Sequence, residues 1–180
     1  MKALEEIGIA KAIKYSFGKI VMVFYALLLL SPLKTAFLRI LGAKIGRNSL
    51  FENVKFFNLY RKGFPGLNVG KNCFVGEETC LDLVDEIELE DHVTLGERIV
   101  VLTHTNVGYK DHPLQKTYPP FAGKTVFKKG CFIGSGAIIL PGVEVGACAV
   151  VAAGSVITKN VDPYSMVAGN PAKEVKKLAT

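Results

Sequence analysis

The chain has 180 residues, 49% hydrophobic and 21% charged, enough for one domain with a core and too apolar for general disorder. Its charge of +6 is uneven: residues 1–62 carry 11 Lys/Arg against Glu5, Glu6 and Glu52, while the remainder carries 11 against 13. A basic stretch lying beside the most apolar run of the chain points to anionic lipid rather than nucleic acid.

Residues 1–42 read as helical. Ile13, Phe17, Ile20, Phe24 and Leu27 recur at spacings of four and three, with Lys11, Lys14 and Lys19 among them. The apolar run Ile20–Leu30 covers eleven residues, well short of the ~20 needed to span a bilayer. Ser31 and Pro32 then read as N-cap and first position of a second helix that Gly42 stops. In that helix Leu33, Phe37 and Ile40 share a face, and Lys34 and Arg39 are expected to reach water or headgroups. Glu5, Glu6 and the lack of a small-residue cleavage site argue against a signal peptide. Two readings stand for residues 1–42: a cap on the open end of the following domain, or an anchor lying in a membrane interface.

From Ile45 a six-residue period sets in. It is clearest between Phe127 and Asp162, where Phe127, Ile133, Ile139, Val145, Val151 and Ile157 open successive hexads. Cys131, Ala137, Val143, Ala149, Ser155 and Val161 fill the fifth, small position. Such a repeat predicts an all-β solenoid, a parallel β-helix whose coils bury their apolar positions by stacking. Residues 57–68 are irregular, and the period slips by two around Ile87. After the hexad opened by Val101 it fails: the next, due at 107, begins only at Phe127, with the 20 residues 107–126 intervening. The insertion is polar, aromatic and proline-rich. It reads as an excursion loop (105–125) rooted at His104, and long loops in repeat domains are usually functional. Cys73, Cys80, Cys131 and Cys148 show no metal or redox spacing and read as reduced core fillers, implying a reducing compartment.

Four stretches carry a resemblance: Val101-Leu-Thr-His104, Phe132 to Gly142, Val151 to Lys159, and Ala168-Gly-Asn-Pro-Ala-Lys173. Through them residues 45–178 resemble the hexapeptide-repeat acyltransferases, which include galactoside, maltose and serine acetyltransferases. The resemblance implies a left-handed parallel β-helix over 43–170 and a homotrimer with sites between neighbouring prisms. It also implies acetyl-CoA as co-substrate, a sugar or glycan acceptor, and a cytoplasmic location, peripheral on the inner membrane face if residues 1–42 anchor. Residues 171–180 are expected as a short C-terminal helix.

Acyl transfer from a thioester needs a base for the hydroxyl and donors for the oxyanion. Of His92, His104 and His112, only His104 stands at the loop root within the family-like motif, and it is the candidate base. Asp82 falls one coil earlier on the same face, placed to orient the imidazole, to bind acceptor, or to be a solvated corner. By resemblance the Ser135 N–H is the oxyanion donor and Ala153 lies along the pantetheine arm. Lys159, Lys173, Lys176 and Lys177 are candidates for the coenzyme phosphates, and Asn170-Pro171 turns the chain out of the last coil. Glu78 falls near an acceptor-binding position of the galactoside enzyme without matching it. The acidic residues from Asp85 to Asp91 read as an exposed face.

Three alternatives share the fold. A zinc lyase needs three histidines at spacings that 92, 104 and 112 do not match, so no metal is expected. A non-catalytic scaffold would need neither His104 nor the lysine-rich end. N-acetyl transfer to an amino sugar would use the same base.

Overall fold

The computed structural model describes residues 8–179; residues 1–7, with Glu5 and Glu6, and Thr180 lie outside the described residues. Each hexad supplies a strand of two or three residues, and the chain visits three parallel faces in turn, A, B and C. Face A stacks Lys44–Ile45, Leu67–Val69, Ile87–Leu89, Thr125–Phe127 and Glu144–Val145. Face B stacks Leu50–Phe51, Phe74–Val75, Thr94–Leu95, Phe132–Ile133, Val150–Val151 and Ser165–Gly169. Face C stacks Lys55–Phe57, Cys80–Asp82, Val100–Val101, Ile138–Ile139 and Val156–Ile157. The result is a three-sided parallel β-helix.

The six-residue period is a burial pattern. All twelve first and fifth positions between Phe127 and Val161 are buried. Successive coils place like on like, as in Val75, Leu95, Ile133 and Val151 on face B. Each such aliphatic side chain contributes about 1.5–3 kcal/mol by leaving water. The corners bring backbones together: a Cβ on Gly134 would stand 2.5 Å from Ala153 N, so only glycine fits.

Helices α1 (Ile9–Leu27) and α2 (Ser31–Ile40) close the first coil. Tyr25 is fully buried, donates its hydroxyl to Glu52 O at 2.8 Å, and meets the Phe56 ring edge-on. Leu38 is buried beside it, and Thr35 Oγ1 accepts from Phe51 N at 3.3 Å. Gly42, at φ 100°, ends α2 in a double turn, its N–H on Arg39 O and that of Ala43 on Leu38 O.

Three sequence expectations are corrected. Ser31 is not the N-cap of α2: extended Leu30 holds that position and its carbonyl accepts from Leu33 and Lys34 N–H. Lys34 does not reach solvent. It is buried with its ammonium 5.7 Å from the Tyr25 ring centre, while Arg39 donates to Ile45 O and Gly46 O. Residues 171–179 hold no helix: Ala172–Lys177 is a strand antiparallel to Ser165–Gly169, joined through a cis Asn170–Pro171 bond. The last strand of face B would otherwise leave a row of unpaired backbone groups, and satisfying that edge overrides helix propensity.

Burial pushes the Cys131 thiol up to about 12, raises that of Cys73, and lifts the Tyr25 phenol well above its ordinary range. All three are neutral when protonated, and the folded chain holds those protons longer than the unfolded one. Stability is therefore full below the unfolded thiol value of ~8.5 and falls as pH rises toward 12. Thermal midpoints measured from neutral to alkaline pH should decline on that limb, and Cys131→Ala should flatten part of the decline.

Candidate active site

His104 leaves face C where the period breaks. His104–Thr105 pairs antiparallel with Phe121–Ala122, so a two-stranded stem closes the base of the loop. Gly123 N donates to Thr103 O at 2.9 Å and fastens that stem to the prism. The tip is held by Asn106 and Gln115: Asn106 Oδ1 accepts from Gly108 N, and Gln115 Nε2 donates to Gly108 O and Tyr109 O. Tyr109, Leu114, Tyr118 and Phe121 stay exposed along the loop.

Asp82 stands one coil below, at the same corner. Its carboxylate is fully buried, and His104 Nδ1 lies 2.5 Å from its Oδ2. Thr103 N donates to the same oxygen at 3.0 Å. Oδ1 accepts from Asn58 Nδ2 at 2.7 Å and from Val84 N at 3.3 Å. The Thr103 hydroxyl donates to Asp82 O at 2.8 Å and accepts from Asp85 N at 3.0 Å. Three donors besides the imidazole converge on this buried carboxylate, which faces His104 Nδ1 as an acceptor. An acceptor at Nδ1 puts the proton of a neutral imidazole on that nitrogen and leaves Nε2 with a lone pair. The His104 side chain is 30% exposed, and among the described residues no protein group bonds Nε2.

The other expected site residues stand elsewhere. Ser135 and Ala153 follow face-B strands, at the B–C edge, whereas Asp82 ends a face-C strand and His104 and Lys159 follow face-C strands, at the C–A edge. One chain therefore does not bring His104 to Ser135 or Ala153. Among the described residues neither the Ser135 N–H nor the Ala153 N–H has a protein acceptor. The Ser135 hydroxyl lies 2.5 Å from Glu97 Oε2, a bond that holds the Glu97 carboxyl below its usual range. Ser155 Oγ accepts from Gly169 N at 3.2 Å, which seats the turn carrying Asn170 against the Ala153 corner. Lys173 and Lys176 are exposed on the last strand. Lys177 is ion-paired to Glu174 (2.8 Å) and Asp162 (3.4 Å), which raises its pKa.

The histidines set aside in the sequence have local duties. His92 takes φ 63° at a corner next to Asn72, and His112 Nδ1 accepts from Leu114 N. Glu78 is paired with Arg98 at 2.9 Å, and Glu86, Glu88 and Glu90 are matched by Lys62, Lys124 and Lys128. No group of three metal-ligating side chains occurs among the described residues. A cleft of about 390 Å³ opens between α1 and residues 59–65, away from Asp82 and His104. Sequence reading missed Asn58, Thr103 and Glu97. Counting one regular coil of 18 residues back from Asp82 reaches Phe64, because the irregular patch lengthens the coil that carries Asn58.

Residues 124–159 match the family described as bacterial transferase hexapeptide (six repeats). Chloramphenicol acetyltransferase from Klebsiella aerogenes is 48% identical over 33% of this chain and 28% of its own. Galactoside O-acetyltransferase from Escherichia coli (strain K12) is 25% identical over 76% of this chain and 64% of its own. The chain thus spans less than a third of the first of these relatives and just under two thirds of the second. A hexapeptide-repeat-containing acetyltransferase from Vibrio cholerae O1 biovar eltor, solved with acetyl coenzyme A, superposes with a TM-score of 0.79. That match covers 94% of this chain and 89% of the other at 22% identity, so it speaks for the fold. Over residues 124–159 the chain thus carries the six-repeat pattern of the bacterial transferase hexapeptide family, and its prism has the fold of a hexapeptide-repeat-containing acetyltransferase.

Proposed function

We propose that the protein is a CoA-dependent O-acetyltransferase that moves acetyl from acetyl-CoA to a hydroxyl of a sugar or glycan. The observation that carries this reading is the buried Asp82 carboxylate, held by Asn58, Val84 and Thr103, 2.5 Å from His104 Nδ1, with no partner on Nε2 among the described residues. An alcohol is a poor nucleophile, and a base is useful only if its lone pair faces the substrate. The Asp82 contact selects that tautomer and fixes the ring.

In the reaction His104 Nε2 takes the acceptor hydroxyl proton as the oxygen bonds to the thioester carbonyl carbon. The carbonyl becomes an oxyanion, received by the Ser135 N–H. Collapse breaks the C–S bond, and the proton on His104 passes to the departing CoA sulfur. Acetylated acceptor and free CoA leave, and His104 is again neutral.

Because His104 and Ser135 lie on different edges, the reading places the site between two chains of a homotrimer of left-handed β-helices. The apolar side chains exposed on the excursion loop suit contact with the neighbour. Ala153 lines the pantetheine arm, and the turn at Asn170 packs beside it. Lys159, Lys173 and Lys176 meet the coenzyme phosphates, with Lys177 reaching them from its ion pairs. No helix among the described residues is long and apolar enough to cross a membrane. Acetyl-CoA as donor assigns the activity to the cytoplasm.

Free CoA release, followed with a thiol reagent against sugars, nucleotide sugars and glycans, tests the reading. Acceptor-dependent release is expected with at least one hydroxyl acceptor. Release with amino sugars alone would move the assignment to N-acetylation. No binding of acetyl-CoA and no release would leave a scaffold.

A further inference from the structure

Helix α1 carries two apolar faces, and the prism uses only one. Gly18, Val21 and Tyr25 face inward and are buried, with Met22 packed beside them. At 100° per residue Ile13, Phe17, Ile20, Phe24 and Leu27 fall within an arc of roughly 80°, turned about 130° from the buried side. Each of these side chains is more than half exposed, and Leu29, just beyond the helix, is 90% exposed. The sequence stripe is therefore helical as expected, but it faces away from the core.

The polar residues on α1 are as telling as the apolar ones. Lys19 lies about 80° beyond the arc on one side, and Lys14, exposed at the mouth of the cleft, lies about 60° beyond it on the other. From residue 8 to residue 51 the chain contains no Asp or Glu. Two cations of α2 are occupied within the fold: Lys34 is buried over Tyr25, and Arg39 caps backbone carbonyls. Ile13, Phe17 and Val21 also line the 390 Å³ cleft, together with Leu59, Phe64 and Lys14, so apolar surface continues beneath the helix.

We infer that the outward face of α1 is a docking surface for an anionic lipid bilayer. The helix lies in the interface, with its apolar arc among the acyl chains and Lys14 and Lys19 at headgroup level. An apolar arc bordered by lysines is the arrangement by which long cationic side chains keep their charge in water while their stems cover hydrocarbon. A second copy of the chain is a poorer occupant. Symmetric pairing of this face would bring like-charged lysines together, and residues 8–51 contain no acid to neutralise them. Docking does not depend on the acyl-transfer reading, since none of these residues belongs to the Asp82–His104 site.

The test uses the full chain and two vesicle types, phosphatidylcholine alone and phosphatidylcholine with phosphatidylglycerol. The protein should float with the anionic vesicles, bind them roughly fivefold tighter per lysine than the neutral ones at low salt, and lose that advantage as salt rises. The chain has no tryptophan, so Phe24→Trp supplies a single reporter whose emission should shift to the blue on anionic vesicles. Lys14→Glu with Lys19→Glu should abolish the preference for anionic lipid. Ile20→Asp with Phe24→Asp should abolish flotation while leaving thermal midpoint and assembly size unchanged. Absence of flotation by the unaltered protein, or an unshifted indole emission from the Phe24→Trp protein, overturns the inference. So does a fall in assembly size by light scattering in the Ile20→Asp, Phe24→Asp protein, which would assign the face to another copy.

Discussion

His104→Ala is expected to lower turnover by about two to four orders of magnitude while leaving the fold intact, the range for loss of a positioned general base. The two halves of that expectation rest on different contacts. The imidazole is only partly covered, so truncating it opens no large cavity. Asp82 keeps Asn58, Val84 and Thr103 as donors after the change, and the stability cost should stay near that of one hydrogen bond, about 1 kcal/mol. Turnover has no such reserve. His92 and His112 are bound up in a corner and in the loop tip, and neither can stand in. Steady-state CoA release beside a thermal melt checks both halves. Full turnover with His104 gone would remove the base from the mechanism.

The fold was legible because its period is a burial pattern that repeats with little interruption. Phe127, Ile133 and Ile139 open hexads in the sequence and close the core in the structure. Legibility ended where single residues answer to the edges of the solenoid. Ala172–Lys177 has the composition of a helix, yet it pairs with Ser165–Gly169 because the last strand of face B needs a partner. The stripe from Ile13 to Leu27 has the right spacing for a helix, but spacing does not say which face meets the prism. Small Gly18 and capped Tyr25 decide that, through contacts some thirty to forty residues away in the chain.

The site divides in the same way. His104 was found from its motif at the root of the loop, and Asp82 by coil counting to within about two residues of the same face. Asn58 was not, because the patch at 57–68 lengthens its coil: Phe57 is in register with Asp82, 25 positions on, where regular coils such as Ile139 to Ile157 take 18. That Ser135 and Ala153 stand on a different edge from His104 follows from the order of the faces. The hexad count contains this, but it acquires meaning only once a second prism is placed against the first.

Asn58 is where the geometry demands most of a residue that sequence reading passed over. It sits at φ 60°, a left-handed conformation that asparagine tolerates, and aims its amide at Asp82 Oδ1. Asn58→Gly removes the amide without straining the backbone, so the fold should survive. The freed carboxylate oxygen would no longer be pinned opposite His104, and turnover should fall about tenfold with KM little changed, because the acceptor surface is not altered. A loss seen in KM instead would make Asn58 an acceptor contact rather than a positioning residue. Asp82 itself separates structure from chemistry. Asp82→Ala strands the Thr103 N–H and the Asn58 amide in a buried site, and should cost about 3–5 kcal/mol of stability as well as activity. Asp82→Asn keeps the volume but offers His104 an N–H in place of an acceptor, which turns the ring to its other tautomer and protonates Nε2. Its stability loss should be smaller than that of Asp82→Ala, yet turnover should fall as far as in His104→Ala, because a base that already carries its proton cannot accept another.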